Sequence, residues 1–139
     1  MNRIKNKYIR RTIKILIATA VVAVIYIFYK LCLPNIVFFW GAQAKLEINT
    51  TSYNVSEVLS DSDSNKIRNM FVGKINWFDD PACGFDESNY IEFGNTKFIL
   101  GMDSCGTIKT GNRFFTLSKD EFNELNNILK KYNAEFPLF

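Results

Sequence analysis

Three hydrophobic regimes follow one another along this chain. From Ile15 to Tyr29, ILIATAVVAVIYIFY, fifteen residues pass without a charge. Beyond Lys45 the apolar residues come at short intervals, first at period two and later at helical spacing. The first regime predicts a membrane segment. As a helix it rises about 22 Å, short of a hydrocarbon core of roughly 30 Å, so the span takes in its flanks from Ile13 to Leu33. Lys14 and Lys30 then lie at the two ends, where their stems follow apolar surface and their ammonium groups reach the headgroups. Pro34 stops the helix. Phe38, Phe39 and Trp40 read as an aromatic belt at the outer interface, the alternative being the start of a domain core.

The two later regimes predict an α+β domain. Lys45 to Asn49, KLEIN, alternates as a strand does. Thr50 to Ser64 is polar, with Val55, Val58 and Leu59 spaced for a brief helical turn. Ile67, Met70 and Phe71 predict a helix over 65–72, capped by Ser64 and stopped at Gly73. Short β-prone runs at 74–78, 90–93, 97–102, 107–109 and 114–117 predict an antiparallel meander, with tight turns at Gly94-Asn95 and Gly111-Asn112. Asp79 to Asn89 reads as a loop. Ser118-Lys119-Asp120-Glu121 has the form of a capping box, and Phe122, Leu125, Ile128, Leu129 and Tyr132 follow on one helical stripe. That last helix is expected to pack on the sheet, and Phe136-Pro137-Leu138-Phe139 to pack as an apolar tail. The domains expected are a basic cytoplasmic N-terminus at 1–14, a transmembrane helix at 15–33, an interfacial linker at 34–44 and an extracytoplasmic α+β domain at 45–139.

Charge orients the span. Arg3, Lys5, Lys7, Arg10, Arg11 and Lys14 precede it, and only Lys30 and Lys45 lie at or shortly beyond its far end. The positive-inside rule puts the N-terminus in the cytoplasm and the C-terminal bulk outside. The competing reading is a cleaved signal peptide with Ala42-Gln43-Ala44 as an A-x-A site, against which stand Lys30, Pro34 and a second apolar patch before Ala44. The net charge of +3 divides unevenly: residues 1–44 hold seven basic and no acidic residues, and residues 45–139 hold ten basic against fourteen acidic, a net −4. The domain is thus poorly suited to nucleic acid, which needs a clustered positive field, and the N-terminal cations are suited to anionic lipid.

Candidate chemistry is sparse. The chain has no histidine, which removes Ser-His-Asp and Cys-His catalysis and His-ligated metals, and three cysteines are too few for a four-thiolate zinc site. No cofactor is implied. Asp61-Ser62-Asp63-Ser64-Asn65 matches the opening of a calcium loop, but Lys66 replaces its glycine and Val72 its glutamate, so a polar helix start is the simpler account. Asp79, Asp80, Asp86, Glu87 and Asp103 form an acidic group near two cysteines. Cys83 and Cys105 lie about eleven residues either side of the Gly94-Asn95 turn, so pairing of the flanking strands would bring them opposite each other as a disulfide in an oxidising exterior. The alternative is two reduced, buried thiols. Cys32 stays at the membrane edge.

Three functions are open at this point, each with the N-terminal helix in membrane lipid. The first is a single-pass membrane-anchored protein whose extracytoplasmic domain binds another envelope or membrane protein. The second is a small carboxylate-based or metal-assisted hydrolase using Asp79, Asp80 and Asp103. The third is an assembly subunit of a membrane complex that works through its span, although Ala18, Ala20 and Ala23 do not form a small-xxx-small seam.

Overall fold

Thirty consecutive residues form helix α1, Asn2–Leu31, in the computed structural model, which describes residues 2–31, 36–76, 81–102, 104 and 106–135. The chain divides into two units, Met1–Asn35 and Ile36–Phe139. Within the first, the 21 residues Arg10–Lys30 are long and apolar enough to cross a membrane, by length and composition, and none of them is buried. The Thr19 hydroxyl in that stretch donates to the Ile15 carbonyl at 2.9 Å, so it carries no unmet donor into an apolar surrounding. Helix α1 begins at Asn2 and so includes the basic N-terminal residues.

The second unit is α+β, as expected. Its sheet contains β1 (Ala44–Asn49), β2 (Asn54–Val58), β3 (Phe85–Phe93), β4 (Thr96–Gly101), β5 (Thr107–Thr110) and β6 (Arg113–Thr116). All pairs are antiparallel, in the order β2-β1-β3-β4-β5-β6. Helix α2 (Asp61–Phe71) lies between β2 and β3 in sequence, and α3 (Lys119–Lys130) follows β6. Strand alternation sets one face of the sheet inward: Leu46 and Ile48, Ile91 and Phe93, Phe98 and Leu100 are buried in the same core cluster as Leu125, Ile128 and Leu129 of α3. Phenylalanines knit this core. Phe39 lies 4.8 Å from Phe93 and 4.7 Å from Phe98, and Phe71 lies 5.0 Å from Phe98 and 5.4 Å from Phe115, centroid to centroid. These tilted and edge-on separations are the ones aromatic quadrupoles favour.

Local chemistry explains most boundaries. The capping box forms as predicted: the Ser118 amide donates to Glu121 Oε2 at 2.8 Å, and the Glu121 amide to Ser118 Oγ at 3.3 Å. Lys74 Nζ donates to the same glutamate at 2.6 and 2.7 Å. Gly94 turns β3 into β4 at φ +59, and a Cβ there would stand 2.8 Å from the Trp40 carbonyl oxygen. Both the turn and the close approach require glycine.

Several expectations are corrected. Residues 54–58 form strand β2 rather than a helical turn. The turn at Thr50–Tyr53 folds them back onto β1, with the Thr50 amide donating to the Tyr53 carbonyl at 3.0 Å and the Tyr53 amide to Thr50 Oγ1 at 3.1 Å. Helix α2 starts four residues early: Ser60, not Ser64, is the cap, its Oγ accepting from the Asp63 amide at 3.2 Å. Ser64 is buried, and its Oγ accepts from the Ala44 amide at 2.9 Å. Strand β3 extends back to Phe85, through a bulge between Phe85 and Tyr90, so the expected loop gives way at its C-terminal end. Of the run at 74–78, Ile75 makes only an isolated bridge to Ile36, and residues 77 and 78 lie outside the described residues, as does the tail at 136–139. Phe39 and Val37 are core residues, whereas Phe38 and Trp40 point outward, so the three-residue aromatic belt is divided.

Candidate functional site

Core side chains occupy alternate strand positions, so the intervening positions define the other face of the sheet. The register carries one unbroken row across all six strands: Ser56, Glu47, Tyr90, Ile99, Lys109, Phe114. A second row runs Val58, Lys45, Glu92, Lys97. Ile99 is buried yet stands apart from the core cluster, because its strand neighbours on this face shelter it. Phe85 packs against Phe114 with ring centroids 5.3 Å apart.

Between β4 and β5 this face opens into a groove of about 540 Å3, lined among others by Glu87, Lys97, Ile99, Lys109 and Asn112. Its origin is in the pairing. Strands β4 and β5 pair only at Ile99 with Lys109 and Leu100 with Ile108, so the two hairpin ends separate beyond Ile99. The groove's lining is mainly polar, with the largely buried Ile99 as its apolar side chain. Lys97 Nζ sits 4.0 Å from the centroid of the Tyr90 ring, a cation-π contact, and Lys109 Nζ lies 3.4 Å from Glu87 Oε1. Both lysines keep donor capacity, since an ammonium has three N–H groups. Further along the face, Glu47 pairs with Lys45 and accepts from Ser56 Oγ at 2.8 Å. Lys45 first, and Ser56 second, hold its carboxyl below the ordinary glutamate value. Such a surface can bind an apolar side chain beside an anion. Among the described residues, no three of His, Cys, Asp and Glu are grouped to hold a metal ion.

The residues singled out in the sequence are scattered. Asp61 accepts from Gln43 Nε2 at 2.9 Å. Asn65 accepts from Arg68 Nη1 at 3.1 Å, so the D-x-D-x-N run is helix start and not ion loop. Asp63 is buried and binds the end of α3: Lys131 Nζ lies at 2.7 Å from its Oδ1, and the Tyr132 hydroxyl at 3.0 Å and Ser60 Oγ at 3.1 Å from its Oδ2. Asp86 turns back on its own strand, accepting from the Ser88 amide at 2.9 Å and the Ser88 hydroxyl at 2.7 Å. The amide foremost, then the hydroxyl, keeps that carboxyl below its usual value. Glu87 lines the groove, and Asp79, Asp80 and Asp103 lie outside the described residues. Of the expected Cys83–Cys105 pair, Cys105, like Cys32, lies outside the described residues.

The groove residues Lys97, Ile99 and Lys109 were not singled out from sequence, and Asn112 was read only as part of a turn. A signal was present in Lys97-Phe98-Ile99-Leu100, where three successive apolar residues give the strand an apolar position on its second face. No protein-family model, curated protein or solved structure matches this chain.

Proposed function

We propose that this is a single-pass membrane-anchored protein, with its N-terminus in the cytoplasm and its domain outside, and that the open sheet face binds a protein of the same membrane or envelope. The observation that carries the binding reading is the asymmetry of the sheet. One face is covered by α2, α3 and the segment of Val37 and Phe39, while the other presents a continuous row from Ser56 to Phe114 and the groove at Lys97 and Lys109. The groove's chemistry suits a partner segment that sets an apolar side chain beside a carboxylate.

Retention of the anchor is supported by the core. Ala44 is buried, its amide bound to Ser64 Oγ and its carbonyl accepting from the Leu59 amide at 2.8 Å. Cleavage after Ala44 would remove Val37 and Phe39 from the domain they help to fill. With the outside location goes a proposed disulfide between Cys83 and Cys105, since such bonds persist in oxidising compartments.

Site-specific photocrosslinking in cells tests the binding reading. A photoreactive residue at position 109 should capture one reproducible membrane or envelope protein, and the double variant Lys97→Glu, Ile99→Glu should lose it. The same residue at position 124, on the exposed side of α3, should not capture it. Equal capture from both positions, or capture unaffected by the double variant, refutes the assignment of the open face.

A further inference from the structure

The aromatic segment that leads into the domain alternates between inward and outward residues. Val37 and Phe39 are buried, while Phe38 is 63% and Trp40 90% exposed. An isolated antiparallel bridge places Ile36 opposite Ile75, and directly opposed residues share a face. Its register is fixed by the Val37 amide donating to the Lys74 carbonyl at 2.8 Å and the Gly73 amide to the Val37 carbonyl at 3.0 Å. Alternation then puts Ile36, Phe38 and Trp40 on the side of Ile75, which is itself 53% exposed. The backbone behind them is held: the Trp40 carbonyl packs against Gly94, and Phe39 is locked among Phe93 and Phe98. Two large aromatics and an isoleucine are therefore presented to the outside by a fixed backbone.

We propose that this apolar edge is a membrane-contact surface, with Phe38, Trp40 and Ile75 seated at the headgroup and acyl boundary of the bilayer that α1 spans. The inference rests on the membrane-anchor reading. Three observations select lipid as the occupant. First, only four residues of sequence separate Leu31, the last residue of α1, from Ile36, so this stretch follows directly on the apolar helix in the chain. Second, no charged residue occurs between Lys30 and Lys45, so seating this stretch at the interface strips no ion of water. Third, indole and phenyl rings favour that boundary, with the indole N–H left to a headgroup or interfacial water.

Fluorescence of the full chain in lipid nanodiscs tests the proposal. The chain has two tryptophans, so Trp77→Phe leaves Trp40 as the sole reporter, and Trp40→Phe in the parent gives the Trp77 signal for subtraction should the first variant fold poorly. Nanodiscs of phosphatidylcholine and phosphatidylglycerol are compared with discs whose acyl chains are brominated near the headgroup. The expected result is loss of Trp40 emission in the brominated discs and protection from acrylamide, with emission restored by Phe38→Asp or Ile75→Asp. Retained emission and full acrylamide quenching, in protein that stays with vesicles of the same lipids at alkaline carbonate pH, overturn the contact and leave the anchor standing. Release of the protein from those vesicles by carbonate overturns the anchor and the contact together.

Discussion

Replacing Asp63 should weaken the junction between α2 and α3, and the size of the loss can be worked from its partners. Its side chain is only 8% exposed and accepts from Lys131 Nζ, the Tyr132 hydroxyl and Ser60 Oγ. Lys131 is 54% exposed, so water takes over its ammonium and that pair is worth about 0–1 kcal/mol. Hydrogen bonds from neutral donors to a buried carboxylate are worth about 1.5–3 kcal/mol each. Ser60 Oγ still accepts from the Asp63 amide as the helix cap, and the Tyr132 hydroxyl still accepts from the Ser60 amide at 2.9 Å, which limits the damage. Asp63→Ala is therefore expected to cost about 2–4 kcal/mol, and Asp63→Asn, which keeps an acceptor, about 1–2 kcal/mol. Urea unfolding of the domain, followed by near-ultraviolet circular dichroism in mild detergent, measures both. The pH dependence supplies a second readout. Lys131 above all, with Tyr132 and Ser60 and against burial, holds the Asp63 carboxyl below its ordinary value. A depressed folded pKa contributes stability that is present above the unfolded value, near about 3.9, and is lost as pH falls through the folded value. The gap between wild type and Asp63→Asn should thus be full at about pH 6 and narrow below about pH 4. A cost of Asp63→Ala within about 0.5 kcal/mol, or a gap that does not narrow in acid, refutes the reasoning.

Leu125 is fully buried, so Leu125→Ala should cost about 2–5 kcal/mol, against about 1 kcal/mol for Ser118→Ala, which removes the α3 cap; equal costs in urea titrations would contradict the assignment of that stripe to the core. Gly94→Ala should destabilise by at least about 1–2 kcal/mol, since φ is +59 and the added methyl meets the Trp40 carbonyl; an unchanged midpoint refutes it. Mass spectrometry of the intact protein from its native membrane should find the domain still joined to the apolar segment of residues 15–29, and protease added to intact cells or spheroplasts should digest the domain; a start at Lys45 refutes the retained anchor, and a protected domain refutes the orientation. Alkylation under denaturing, non-reducing conditions should leave both Cys83 and Cys105 unmodified; two modified thiols refute the pairing.

What was legible in the sequence tracks how local the physics is. Helix α3 announces itself because its cap, its stripe and its dipole-complementing lysine all lie within one short segment. The turns at Gly94 and Gly111 are equally local, each set by a residue that accepts positive φ. Helix α2 shows the limit of that rule. Both Ser60 and Ser64 are plausible caps, and the choice is made by Ala44, twenty residues from Ser64, whose amide needs that hydroxyl as a buried acceptor. Strand β2 was hidden because only Val55 is buried on it, so no alternation survives for a pattern to detect, and Leu59 beyond its end supplies a misleading helical spacing. Phe39 is harder still. Nothing within Phe38-Phe39-Trp40 distinguishes the ring that enters the core from those that stay outside; that is decided by Phe93 and Phe98, on strands far along the chain. The same nonlocality governs the candidate site. Tyr90, Ile99, Lys109 and Phe114 become one row only through three separate strand registers, and a slip of one residue in any of them would send its share of the row into the core. The registers are held by the opposite face, where Ile91, Phe98, Ile108 and Phe115 have no tolerable position but inside. The proposed binding surface is thus specified by residues on the other side of the sheet.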